Sequence, residues 1–174
     1  YILFACFISI ASLAGGTYVL IPAGEFGSVL KYEDNKGKQK VAGFELMKQP
    51  VTNAEFLTFV RNHPQWQRGR VPKVFAEPKH YLSHWQAPLV LGAKVSPQQP
   101  VTQVSWFAAT AYCEAQQARL PTWSEWEYTA AADRTRRDAR SDSAWRESIL
   151  SWYSKPSNTP LANVGQTPAN VYGV

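Results

Sequence analysis

Residues 118–128 read ARLPTWSEWEY, and this stretch decides the fold. Thr122 is followed three residues later by Glu125. This spacing predicts a capping box, in which the Thr hydroxyl accepts the amide proton of the third helical residue and the Glu carboxylate accepts that of the cap. The three residues before the cap end the preceding helix: Arg119, Leu120 and Pro121. The stretch therefore predicts a helix that starts directly after Thr122.

This predicted helix carries two tryptophans on one face. Pro121 and Trp126 occupy the two positions of a hydrophobic staple, and Trp123 shares a face with Trp126. We expect both tryptophans to anchor the helix to the core. Glu125 and Glu127 lie two residues apart and point to different sides of a helix, so they do not form an acid–base pair. A structural role for the stretch is favoured over a catalytic one.

A helix is also predicted over 106–117, directly before this stretch. Ser105 is its expected N-cap and Trp106 its first residue. Three alanines and a tyrosine recur at i, i+3, i+4 and i+7 and form one face: Ala108, Ala111, Tyr112 and Ala115. Because alanine lets a neighbouring backbone approach closely, we expect this helix to be largely buried.

A further helix, predicted over 53–62, repeats the capping-box spacing. Its cap is Thr52 and its third residue is Glu55. Phe56 forms a staple with the apolar residue before the cap and starts an apolar stripe at i, i+3 and i+4. The stripe consists of Phe56, Phe59 and Val60. These features predict an amphipathic helix with an aromatic face, which Pro64 ends.

The remaining chain reads as short strands and long loops. Residues 17–30 predict a strand, a turn and a second strand, and 41–50 predict a further strand. The polar segment 31–40 predicts a hairpin loop. Residues 64–100 and the tail from 151 show no sustained period, which predicts irregular loops.

The N-terminal segment 2–14 reads ILFACFISIASLA, an apolar run of signal-peptide length that is too short to span a membrane. Small residues at its end fit a cleavage site. We therefore expect a periplasmic or secreted protein, with a signal over 1–14 and one domain over 15–174; the alternative is a buried strand or helix. Export leaves Cys113 as a lone cysteine, for which a disulfide to a cysteine outside this sequence is favoured over a free thiol.

The net charge and the spacing of two histidines suggest two other kinds of site, one for nucleic acid and one for a metal ion. The formal charge of +5 is compatible with binding to nucleic acid or to an anionic surface. The basic cluster at 133–140 also holds two Asp, which favours a solvated surface, and export argues against nucleic acid. His80 and His84 have the i, i+4 spacing of a metal site, yet no Glu follows the first His and no third ligand is apparent. An aromatic-rich loop is favoured there.

Several segments together resemble one family, in the same order along the chain. They are VLIPAGEF (19–26), PVTNAEFLTFV (50–60), HW (84–85), QPVTQVSWFAATAYCEAQQARLPTWSEWEYTAAA (99–132) and NVYGV (170–174). They resemble a divergent bacterial member of the formylglycine-generating enzyme (sulfatase-modifying factor) family over most of residues 18–174. The resemblance implies an α+β fold: an irregular C-type-lectin-like domain with few helices, short strands and long loops.

The resemblance also implies where the chemistry lies. In the name-giving enzymes two cysteines bind Cu(I), which suits soft thiolates, and a cysteine of a sulfatase becomes formylglycine. Those cysteines belong to the part of the family's domain beyond Val174, whereas Cys113 matches a structural or disulfide position. No catalytic residue is carried over, copper is implied by resemblance alone, and a missing "PWG" segment puts calcium in doubt. The positions matching the family motif have structural roles: Thr52, Asn53, Glu55, Phe56, Trp106, Arg119, Leu120, Pro121, Thr122, Glu125, Trp126 and Glu127.

Two hypotheses about function follow from this resemblance. The first is an exported oxidase that acts on a protein thiol, with its catalytic cysteines outside this sequence. The second is a non-catalytic periplasmic accessory or binding protein on the same scaffold, such as a factor associated with nitrite reductase. Both imply a protein or peptide as substrate or partner, no nucleic acid, and no stable membrane anchor once the signal is removed. We favour the enzyme.

Overall fold

The computed structural model describes residues 6–8, 18–28, 37–156 and 159–174. The strands in this part of the chain are β1 (Phe7–Ile8), β2 (Tyr18–Ile21), β3 (Gly24–Phe26), β4 (Gln39–Val41) and β5 (Phe44–Met47). The α-helices there are α1 (Asn53–Asn62), α2 (Trp106–Ala115), α3 (Trp123–Ala130) and α4 (Ser143–Tyr153). None of these helices is long and apolar enough to cross a membrane.

The chain divides into two compact units. Among the described residues, the first unit comprises 6–7, 49–120 and 161–166, and it contains α1 and α2. The second comprises 8, 18–28, 37–48, 121–156, 159–160 and 167–174, and it contains β2 to β5 with α3 and α4.

Short antiparallel strand pairs form the sheets of the second unit. β2 pairs with β5 so that Ile21 lies opposite Phe44, in a sheet ordered β1–β5–β2. β3 pairs with β4 so that Gly24 lies opposite Val41. The strands predicted within 17–30 and 41–50 are confirmed for the described residues.

The predicted hairpin loop over 31–40 is wrong at its end, because Gln39 and Lys40 belong to β4. Residues 31–36 lie outside the described residues. The pairing of β4 with β3 places these two polar residues in a ladder, which their polarity alone does not predict.

Helix α1 has the predicted bounds, Asn53–Asn62, and the predicted capping box. The amide of Glu55 donates to the Thr52 hydroxyl at 3.2 Å, and the amide of Thr52 donates to the Glu55 carboxylate at 2.7 Å. The predicted apolar stripe is confirmed as buried: Phe56, Phe59 and Val60. Local chemistry therefore sets the start of α1, and its stripe sets the face that packs.

Phe56 lies at the centre of the aromatic core of the first unit. Its ring centroid is 5.3 Å from that of Phe59, 5.8 Å from Tyr112 and 6.4 Å from Trp85. Aromatic pairs at such separations stabilise a core beyond the area that they bury. The fourth residue of α1 is thus the point on which α2 and the loop containing Trp85 pack.

Helix α2 begins at the predicted cap, where the amide of Ala108 donates to the Ser105 hydroxyl at 3.1 Å. The helix ends at Ala115, earlier than predicted. Its predicted buried face is wrong in part, because Ala115 is exposed. The buried residues are Ala108, Ala109, Tyr112 and Cys113. The buried face of α2 is therefore rotated toward Cys113, which forms a buried disulfide.

Cys113 forms a disulfide with Cys6, and both residues are fully buried. The partner expected outside this sequence was therefore wrong, since the partner lies in the apolar run assigned to the signal. Cys6 directly precedes β1, so residues 6–8 are part of the fold. The rest of the predicted signal lies outside the described residues. A mature chain that began at residue 15 would lack this bond.

The sequence did not predict helix α4, whose last residues fall in the tail predicted to be a loop. Asp142 caps it by accepting from the amide of Trp145 at 3.0 Å. None of its residues is buried. Trp145, Ile149, Trp152 and Tyr153 recur at i, i+4, i+7 and i+8, a spacing typical of a helix that was overlooked.

Candidate functional site

Helix α3 turns the opposite face inward from the one predicted. Trp123 is 51% exposed and Trp126 is 46% exposed, so these tryptophans do not anchor the helix in the core as predicted. The buried residues are Glu127, Tyr128 and Thr129. This buried side carries a carboxylate with polar partners, described next, and Tyr128, whose ring centroid lies 5.8 Å from those of Phe26 and Tyr172.

The Glu127 cluster consists of Ser28, Trp123, Glu127 and Arg140. The Ser28 hydroxyl donates to the Glu127 carboxylate at 2.6 Å, and the Trp123 indole N–H donates at 3.0 Å. The Arg140 guanidinium contacts the other carboxylate oxygen at 3.5 Å. The buried Glu127 carboxylate is satisfied by these donors. Removing one partner would leave the remaining buried polar groups with too few hydrogen bonds. The cluster ties the segment after β3 to α3 and to the loop before α4.

Arg140 extends this cluster outward. Its guanidinium donates to the Gly27 carbonyl at 2.6 Å and to the Asp138 carboxylate at 2.7 Å, and it lies 5.7 Å from the centroid of the Phe26 ring. The hydrogen bond from Arg140 lowers the pKa of Asp138. The sequence assigned 133–140 to a solvated surface, and the signal it missed was the Asp-x-Arg spacing that joins Asp138 to Arg140.

A cavity of about 160 Å³ opens beside this cluster in the second unit. Its lining residues are Gly24, Glu25, Phe26, Tyr128, Ala131, Arg137 and Asp138. A Cβ atom at Gly24 would collide with the Tyr128 hydroxyl, so a larger residue there would force the Tyr128 side chain to move. The cavity is smaller than the clefts of about 300–1,000 Å³ that hold drug-sized ligands. It admits a small polar molecule at most.

Residues 170–174 pack against α3. The Asn170 amide donates to the Thr129 carbonyl at 3.1 Å, and the Tyr172 ring centroid lies 5.8 Å from that of Tyr128. Burial raises the pKa of Tyr172 above its ordinary value. The segment that resembles the family at NVYGV is therefore packed against the helix that carries the family's most specific motif.

The remaining motif residues of this stretch surround the helix start. Glu125 completes the capping box by accepting from the Thr122 amide at 2.8 Å, and it lies on a different side of α3 from Glu127. The predicted divergence of the two carboxylates is thereby confirmed. Before the cap, the Arg119 guanidinium donates to the Leu120 carbonyl at 3.0 Å, and Pro121 is half-buried.

Asn53 is a second buried polar group, and the sequence did not reveal its role. Its amide nitrogen donates to the carbonyls of Ser96 and Gln99 at 3.2 and 3.1 Å. Its carbonyl oxygen accepts from the Trp85 indole at 3.1 Å. Asn53 thus ties α1 to two distant loops of the first unit. A family-motif residue directly after a helix cap was the one signal available.

The two histidines at i, i+4 have different partners. His80 contacts the Glu77 carboxylate at 2.6 Å in an exposed pair. His84 Nδ1 lies 3.1 Å from Gln103 Oε1, and burial lowers the pKa of His84. The two histidines thus have separate partners, and the described residues hold no group of three or more potential metal ligands.

The two cysteines of the chain bear on the copper that the resemblance implies. Cu(I) is held by soft thiolate sulfur. Cys6 and Cys113 are joined as a buried disulfide, so neither supplies a thiolate. The described residues therefore do not fit a copper site.

Comparison with known proteins matches these elements to a family. The Sulfatase-modifying factor enzyme 1-like domain matches residues 10–174. Hercynine oxygenase from Mycolicibacterium smegmatis is 29% identical over 178 residues, which cover 86% of this chain and 38% of that protein. Formylglycine-generating enzyme from Streptomyces coelicolor is 44% identical over 50 residues, 28% of this chain and 16% of that protein. The chain thus spans well under half the length of either relative.

Proposed function

The chain belongs to the Sulfatase-modifying factor enzyme 1-like domain family, whose fold is C-type-lectin-like, and we propose that the protein is an oxidase acting on the thiol of a protein or peptide. The observation that carries the proposal is the match over residues 10–174, together with two relatives that are named an oxygenase and a formylglycine-generating enzyme. Fold alone does not establish activity, so the proposal requires the assay given below.

In this proposal the residues of this chain form the structural scaffold of the enzyme. The capping boxes at Thr52 and Thr122 set the starts of α1 and α3, and Asn53 and Glu127 join those helices to distant loops. Cys6 and Cys113 are paired, so the reactive cysteines of the oxidase are other residues. No step of the chemistry is assigned to the described side chains.

Export is part of the same proposal. Disulfides form and persist mainly in oxidising compartments, and the bond between Cys6 and Cys113 supports a periplasmic or secreted protein. A cleavage before Cys6 would keep this bond in the mature chain, whereas a cleavage after Ala14 would remove it. N-terminal sequencing of the exported protein distinguishes the two cleavage sites.

A non-catalytic binding scaffold is the second candidate. Its support is that the polar clusters at Asn53 and Glu127 are occupied by internal partners, while α3 exposes two aromatic rings. Exposed aromatic side chains are common anchors in protein interfaces. On this alternative the protein holds a partner and oxidises nothing.

The two candidates are separated by one assay. The protein expressed from its complete gene is incubated with a cysteine-containing peptide, copper, oxygen and a reductant, and peptide mass and free thiol are followed. The oxidase predicts loss of the thiol with a change in peptide mass, and no change in a peptide with Ser in place of Cys. An unchanged cysteine peptide that still binds the protein rejects the oxidase and favours the scaffold.

A further inference from the structure

A run of four aromatic rings, here called the aromatic ladder, lies on the first unit. It consists of Trp66, Phe75, Phe107 and Trp106. The ring centroids are 6.2 Å apart between Trp66 and Phe75, 5.1 Å between Phe75 and Phe107, and 5.3 Å between Phe107 and Trp106. The rings therefore form one continuous apolar surface.

Much of the aromatic ladder faces solvent. Trp106 is 66% exposed, Phe75 and Phe107 are also exposed, and the neighbouring Val74 is 75% exposed. Single exposed apolar residues are ordinary, but a contiguous exposed patch marks an interaction surface. Tryptophan and phenylalanine are also enriched at the centres of protein interfaces.

The backbone beneath the aromatic ladder is held in place before any partner binds. Trp106 and Phe107 are the first residues of α2, next to its cap. The amide of Phe75 donates to the Pro72 carbonyl at 2.9 Å, and the buried Gln67 side chain donates to the Val60 carbonyl at 3.0 Å. A surface that is already ordered loses less entropy on binding.

Positive charge borders the aromatic ladder. Segment 68–79 holds four basic residues and one acidic residue. The acidic residue, Glu77, already contacts His80 at 2.6 Å. Within the described part of the chain, Arg70, Lys73 and Lys79 form no ion pair. Lys73 directly precedes Val74 and Phe75 in the chain, and Arg70 and Lys79 lie within five residues of Phe75.

We propose that the aromatic ladder docks an acidic polypeptide segment that carries apolar side chains. The rings supply the apolar centre of the interface and the unpaired cations supply a complementary rim. Phe75 and Phe107 meet at an interplanar angle of 62°, and Trp106 and Phe107 at 83°. Rings packed edge to face in this way, beside an aliphatic Val74, suit side chains better than a row of stacked nucleobases, which needs open ring faces.

Peptide binding tests this inference without any oxidation step, so its failure would leave the proposed function untouched. The probe is a fluorescent peptide of Asp, Glu, Leu and Phe, titrated with the protein and followed by fluorescence anisotropy. The comparison ligands are the same peptide with Lys at the acidic positions, and single-stranded oligothymidine.

Trp106→Ala and Lys73→Glu are the test variants. Loss of a central aromatic anchor is expected to weaken binding by about tenfold, and reversal of a rim charge by about threefold, with less dependence on salt. Tyr153→Ala and Lys155→Glu are matched controls in the second unit, because Tyr153 is 67% exposed and Lys155 is exposed. Both controls are expected to bind like the parent.

Three outcomes overturn the inference. The first is no binding of the acidic peptide by the parent protein. The second is equal loss in the test and control variants. The third is preference for oligothymidine, which would assign the surface to nucleic acid. Thermal unfolding of each variant establishes that it is folded, and Lys73→Glu, which removes no packed side chain, keeps the test decisive if Trp106→Ala is destabilised.

Discussion

Helix α1 and helix α3 both begin at a threonine whose partner glutamate lies three residues on, and both capping boxes are formed. The fourth residue of each helix is aromatic. In α1 this residue, Phe56, is fully buried and contacts three rings. In α3 the equivalent residue, Trp126, is exposed, and the adjacent Glu127 is buried instead.

The difference shows that the start of a helix and the face that it buries have separate causes. A capping box satisfies amide groups of the first turn, so it determines where a helix starts. It has no influence on which face meets the core. For α1 that face is determined by rings from α2 and from the loop at Trp85, and for α3 by donors to Glu127 from Ser28 and Arg140.

The largest expected effect concerns the core that packs against α1. Cys113→Ser breaks the disulfide that holds α2, whose Tyr112 packs on Phe56. The bond closes a separation of 107 residues, for which loop-closure entropy predicts a loss of about 4–5 kcal/mol in the free energy of unfolding. Denaturant titration measures the loss, and Cys6→Ser should match it. Unequal losses in the two variants would show that these cysteines are not partners.

The two fourth residues provide the next test. Phe56→Ala is expected to cost about 3–5 kcal/mol, as for a buried aromatic ring. Trp126→Ala is expected to cost about 1 kcal/mol or less, as for a surface residue. Denaturant titration of both variants measures the loss in the free energy of unfolding. Equal losses would contradict the different burial of Phe56 and Trp126.

The buried carboxylate of α3 is tested by Glu127→Ala. This change leaves three donors of the Glu127 cluster without their acceptor, at an expected cost of about 2–3 kcal/mol. Glu125→Ala, the matched control, removes the capping contact with Thr122, at about 1 kcal/mol. Chemical denaturation ranks the two variants, and a smaller loss at Glu127 would contradict its role.

The smallest expected effect is the one that α1 and α3 share. Thr52→Ala and Thr122→Ala should each cost about 1 kcal/mol, the usual loss of an N-cap. Similar shifts in the midpoint of denaturation would support equivalent caps. A near-zero shift at either threonine would mean that the helix there does not depend on its capping box.

The sequence predicted those features that depend on near neighbours. The bounds of α1 and the caps at Ser105 and Thr122 are set within a few residues, so spacing alone identifies them. The tryptophan face of α3 was predicted wrongly, because the partners of Glu127 come from residues as far away as Ser28. Long-range partners leave no periodic mark in a single sequence.

The same limit explains the missed disulfide. Cys6 lies in an apolar run that resembles a signal, and nothing near it indicates a partner at Cys113. Helix α4, in contrast, was marked by its Asp142 cap and by an apolar stripe of Trp145, Ile149, Trp152 and Tyr153, although none of its residues is buried. The capping boxes of the candidate site were predictable from spacing, but the Asn53 and Glu127 contacts required the structure.

The exposure of Trp126 in the native protein is the most direct test of the comparison between α1 and α3. Hydroxyl-radical footprinting with mass spectrometry measures the modification rate of each tryptophan. We expect Trp123 and Trp126 to be modified rapidly, and Trp85, which is buried against Phe56, to be protected. Protection of Trp126 to the level of Trp85 would contradict the account, because α3 would then bury its tryptophan face.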